Sequence, residues 1–113
     1  MPLMIGFSDQ RLRILQSELD SIIERLPGLG VKKAILLNSL YPGVVEKDTG
    51  LKLVMIMDDD RPFVRRPDFF YSHLSPSVGV EFFVLTPAEL ESEYTENSYL
   101  ALAIRKGEII HGA

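Results

Sequence analysis

Few side chains in this chain are placed to do chemistry. Ser39 follows the largely apolar stretch 31–37. A serine there could meet phosphate if the backbone after it opens a helical turn, because the first N–H groups of a helix are free. The alternative is a serine that merely caps that turn. Arg61, Arg65 and Arg66 form a basic cluster around Pro62 and Phe63. Guanidinium forks could hold a phosphate or an acidic partner, but a solvated loop balancing Asp58, Asp59 and Asp60 is the expectation. His73 and His111 stand apart, without metal-ligand spacing, and read as structural. Glu89, Glu91, Glu93 and Glu96 read as a solvated acidic face and not as a ligand set.

The elements that must position these residues follow from periodicity. Leu12, Leu15, Leu19, Ile22, Ile23 and Leu26 recur at helical spacing. Ser8 or Asp9 can cap the start of that helix, and Pro27-Gly28-Leu29-Gly30 stops it. Residues 31–37 predict a strand covered on both faces. A turn follows at 39–43, and a second strand at 51–57 has Leu51, Leu53, Met55 and Met57 on one face and Lys52, Val54 and Ile56 on the other. A helix at 67–74, a strand at 78–85, helices at 87–93 and 96–106 and a short strand at 108–111 complete the chain. Thr86 is the expected N-cap before Pro87. Tyr99, Leu100, Ala103 and Ile104 are expected inward, and Phe69, Phe70, Tyr71, Phe82, Phe83 and Tyr99 in the core. The order predicts an α/β (α+β) domain, a mixed β-sheet flanked by helices.

Size and charge bound the answer further. The chain has 113 residues, 46% of them hydrophobic, enough for one domain with a real core. Its net charge of −4 argues against broad nucleic-acid binding, which needs clustered Lys and Arg against phosphate. With no cysteine, disulfides and thiolate zinc sites are excluded. The opening MPLMIGF lacks the basic flank of a signal peptide. No apolar run approaches the roughly 18 residues a bilayer demands. A cytoplasmic protein without a membrane partner is the expectation.

The segment 31–58, VKKAILLNSLYPGVVEKDTGLKLVMIMD, resembles the minimal nucleotidyltransferase family of the DNA polymerase β superfamily. That family carries a strand, Gly-Ser, a further Gly, and an Asp-x-Asp opening the next strand. Laid on this pattern, Asn38 stands at the first Gly, Ser39 and Gly43 match, and Gly50 and Lys52 stand at the two Asp positions. Val80-Glu81-Phe82-Phe83-Val84-Leu85-Thr86-Pro87-Ala88-Glu89-Leu90 is similar to the third-strand segment, with Glu81 at the third acidic position. The stretch 103–110 resembles the closing helix, glycine and short strand. The resemblance covers 31–113, with 1–30 as an N-terminal helix of a single domain.

The resemblance implies a polymerase β-like fold and phosphate contacts by Asn38, Ser39 and Gly43. It also implies a catalytic triad of which Glu81 alone survives. Three carboxylates hold two divalent metals in working members. One carboxylate beside the Lys52 ammonium should bind Mg²⁺ poorly, because hard cations want several oxygen ligands. Lys52 could instead pair with Glu81, or lay its stem on apolar surface with its head in water. The expected function is therefore a degenerate, non-catalytic domain acting as a binding or regulatory module, with no cofactor and at most weak nucleotide binding. Prokaryotic members often pair with a helical partner of the HEPN type as the antitoxin half of a toxin–antitoxin system. The competing expectation is a working enzyme with a rearranged site. It would use Mg²⁺ and a nucleoside triphosphate and move a nucleoside monophosphate to a hydroxyl.

Overall fold

The structure, a computed structural model, describes residues 2–92 and 99–112. Helix α1 (Pro2–Arg25) carries Leu12, Leu15, Leu19 and Ile22 on one buried stripe. Each such leucine or isoleucine contributes about 1.5–3 kcal/mol by leaving water. The helix starts well before the expected cap at Ser8 and Asp9. Proline is tolerated in a first turn, and Asp9 pairs instead with Arg13 one turn on. A 3₁₀ turn, Leu26–Leu29, ends it against Gly30, whose φ of 80° favours a residue without a Cβ.

Four strands form one mixed sheet in the order β3-β2-β1-β4. Strand β1 (Lys33–Leu36) runs antiparallel to β2 (Leu51–Ile56), with Leu36 opposite Leu53. Strand β3 (Val80–Leu85) lies parallel to β2 on its far side. Strand β4 (Glu108–His111) pairs antiparallel with β1 across an irregularity at Ala34 and Ile35. Parallel β2 and β3 need a crossover, and helix α2 (Pro67–Leu74) supplies it.

Both faces of the sheet are covered. On one, Leu53, Met55 and Phe82 share a cluster with Leu15 and Ile22 of α1 and Phe70 of α2. On the other, Ile35, Val54, Ile56 and Leu85 meet Leu90 of helix α3 (Pro87–Ser92) and Leu100 and Ile104 of helix α4 (Tyr99–Lys106). The predicted alternation along β2 holds, and so does the mixed sheet flanked by helices. Tyr99 corrects one expectation: it is 91% exposed, whereas Ala101 is 2% exposed. The packed stripe of α4 thus runs through Leu100, Ala101 and Ile104, which turns Tyr99 outward. Tyr71 is also half-exposed and not core, because its hydroxyl reaches out to donate to the Val80 carbonyl at 2.6 Å. Glu93 and Glu96 lie outside the described residues.

Candidate functional site

The site expected from the sequence sits where β1 and β2 part. The N–H of Leu37 still donates to the Lys52 carbonyl at 2.9 Å. One residue further, the Asn38 side chain takes over from the backbone. Its Nδ2 donates to the Gly50 carbonyl at 2.8 Å, and its Oδ1 accepts from the Lys52 N–H at 2.9 Å. The amide thus supplies the donor and acceptor that a further ladder residue would have given. An asparagine committed at both ends is a brace, and glycine in its place would lose both of these hydrogen bonds.

Next to the brace, Lys52 and Glu81 are directly opposite one another in the parallel β2–β3 register. Both lie on the α3–α4 side of the sheet, since Val54, Ile56 and Leu85 follow them at steps of two on that face. Both side chains are exposed. Among the described residues no ion pair within 4.0 Å joins them. With Asn38, Thr49, Gly50 and Gly79 they line an open depression of about 460 Å³.

Gly50 is glycine for a packing reason. A Cβ built on it would stand 2.5 Å from the Gly79 carbonyl oxygen, the same oxygen that accepts from the Leu51 N–H at 2.9 Å. Backbone cannot retreat as a flexible side chain can. Any carboxylate at position 50 would displace the start of β2 from β3.

The other predicted residues lie elsewhere. Ser39 opens no helical turn; the backbone from 37 to 41 is irregular, so the phosphate site expected at a helix start is not formed there. Leu40 is partly buried against the main core and draws this segment across the sheet end instead. Ser39 lines a different depression, together with Gln16, Asp20, Lys106 and Glu108, and Asn38 borders both. Gly43 lines neither. It turns the chain at φ 88° after Tyr41, whose carbonyl accepts from the Val44 and Val45 N–H groups.

At the opposite end of β2 the charged loop is tightly paired. Arg61 chelates Asp59, and its guanidinium holds that carboxyl below the usual range. Lys32 reaches Asp58 at 3.1 Å. Arg66 is 6% exposed and far from a solvated loop. It donates to both Glu89 oxygens, to the Val84 carbonyl at 3.0 Å and to the Arg61 carbonyl at 2.8 Å. Glu89 in turn accepts from the Thr86 N–H at 2.9 Å, while its own N–H donates to the Thr86 hydroxyl at 3.2 Å.

Glu89 is therefore a part-buried anchor, which corrects the expected solvated face. Hydrogen bonding to Arg66 is the main cause that holds its carboxyl below the usual range, and burial opposes it. The capping box Thr86-x-x-Glu89 was readable as a motif. Its distant partner was not, because Arg66 is separated from Glu89 by 23 positions. His73 and His111 each meet a backbone carbonyl, of Phe69 and Val31.

Could these residues hold the two metals that the resemblance implies? The donor set does not fit. Position 50 has no side chain, position 52 carries an ammonium, and Glu81 alone offers oxygen. Among the described residues no three His, Asp or Glu side chains converge on one point. Among them, too, no helix is long and apolar enough to cross a membrane. No family model, curated protein or solved structure matches the chain.

Proposed function

We propose that the chain is a nucleotidyltransferase-like domain without metal-dependent nucleotidyl transfer, acting as a binding or regulatory module. Its candidate partner class is a helical protein of the HEPN type. The observation that carries this reading is the registry of Lys52 with Glu81 beside a glycine that cannot accept a side chain. In the family pattern the corresponding face gathers three carboxylates. Here a cation, a single acid and a bare backbone stand at those positions, and their net charge does not favour a pair of divalent ions.

The proximity of Asn38, Gly50, Lys52 and Glu81 around one depression supports the alignment itself. Residues separated by up to 43 positions in the chain share the end of one sheet, as the strand–turn–strand pattern requires. The brace made by Asn38 supports loss of tight phosphate binding. The Lys52 N–H, a donor that a phosphate could otherwise use, is already taken.

The test is transfer from α-labelled ATP in Mg²⁺ or Mn²⁺ with hydroxyl acceptors. No label should move. Reproducible transfer abolished by Glu81→Ala would overturn the reading in favour of a working enzyme with a rearranged site. Lys52→Asp sets a second carboxylate opposite Glu81 without touching Gly50, and it should raise Mn²⁺ affinity by roughly tenfold or more, about 1.4 kcal/mol. Unchanged Mn²⁺ affinity in a folded Lys52→Asp protein counts against the assignment of this pair to the family positions.

A further inference from the structure

The second depression lies on the other side of the sheet end, between α1 and the junction of α4 with β4. It encloses about 430 Å³, inside the roughly 300–1,000 Å³ range of small-molecule sites. Leu19 and Leu36, 8% and 5% exposed, contribute an apolar floor. Asp20, Lys106 and Glu108 stand around it with exposed side chains. Among the described residues none of the three belongs to an ion pair.

Regular elements set the backbone positions from which these charges project. Glu108 is opposite Leu36 in the β1–β4 ladder, so both project toward α1. Between Lys106 and Glu108, Gly107 is pressed onto the end of β1. A Cβ there would meet Ile35 Cγ2 at 2.6 Å and the Leu36 carbonyl oxygen at 2.8 Å. The close approach of Gly107 to β1 thus sets the backbone of both charged neighbours beside the groove. Asp20 follows Leu19 on α1 and closes the opposite wall.

The charges discriminate among ligand classes. Two carboxylates repel a phosphate or other polyanion, and the Lys106 ammonium beside them disfavours a divalent cation. A simple amine would leave the Lys106 ammonium facing it. We propose that this groove binds a small zwitterion: an ammonium held by Asp20 and Glu108, a carboxylate held by Lys106, and an apolar body on the leucine floor. An apolar amino acid has this chemistry. Charge-assisted hydrogen bonds at both ends would fix its orientation. The site uses neither Lys52 nor Glu81, so it stands or falls separately from the function proposed above.

Titration calorimetry of the full chain with L-leucine, leucinamide and N-acetyl-leucine tests it. Leucine should bind saturably, and each blocked analogue should bind roughly tenfold more weakly, the cost of losing one charged contact. Asp20→Asn and Glu108→Gln should weaken leucine and leucinamide and spare N-acetyl-leucine. Lys106→Gln should weaken leucine and N-acetyl-leucine and spare leucinamide. All three substitutions fall on exposed side chains, and unchanged circular dichroism confirms that the variants are folded. Equal binding of the three compounds, absence of saturable binding, or variants with unaltered affinities would overturn the proposal.

Discussion

At the scale of single residues, Asn38 and Gly50 each have a local physical reason for their identity. The Asn38 amide satisfies one carbonyl and one N–H at a strand end. The bare Gly50 lets the Gly79 carbonyl approach and bond the Leu51 N–H. Asn38→Ala should cost about 1–3 kcal/mol in urea unfolding, since it removes two hydrogen bonds of about 0.5–1.5 kcal/mol each. Asn38→Asp should cost at least as much, because a carboxylate oxygen then faces the Gly50 carbonyl that Nδ2 now satisfies. A loss well under that range would mean that water replaces the amide and that the brace is incidental.

At the scale of elements, the strongest polar link joins the start of α2 to the start of α3. Arg66 binds Glu89, and Glu89 caps α3 through Thr86. Truncating Arg66 leaves the part-buried Glu89 carboxylate without its charged partner, so Arg66→Ala should destabilise by about 1.5–3 kcal/mol. The pH dependence has a definite direction. Glu89 has a folded pKa below its ordinary value of 4.5. Its contribution is therefore present above that value and is lost as pH falls through the lowered folded pKa. Glu89→Gln should thus be less stable than the parent near neutrality, with the gap closing in acid. Denaturation midpoints for the two proteins across that range would check it; a constant gap would assign the effect to packing.

Across the whole molecule, the two edges of the sheet are treated differently. The outward carbonyls Val80 and Val84 of β3 accept from Tyr71 and Arg66, which blunts that edge against pairing with another chain. Strand β4 is short and irregularly paired, and its Ile109 is 51% exposed. Strand β2 lies between two neighbours and has both faces covered. Hydrogen exchange should therefore be slowest at the amides of Leu53, Val54 and Met55 and fastest, among the strands, in β4. Comparable protection in β2 and β4 would show that the sheet opens only as a unit.

By itself the sequence determined what local periodicity and steric rules can encode. The leucine stripe of α1, the alternation along β2, the turn at Gly43 and the capping motif at Thr86 were all legible, because each depends on neighbours within a few positions. So were the identities at 50, 52 and 81. Tertiary structure decided the rest. It set Lys52 against Glu81, spent Asn38 on two backbone groups, sent Ser39 to a different depression, and buried Arg66 with a distant Glu89. The physical reason is common to all four. Hydrogen-bond partners and like or unlike charges are chosen by which strands lie side by side, and that choice is made by burying the two apolar faces of the sheet.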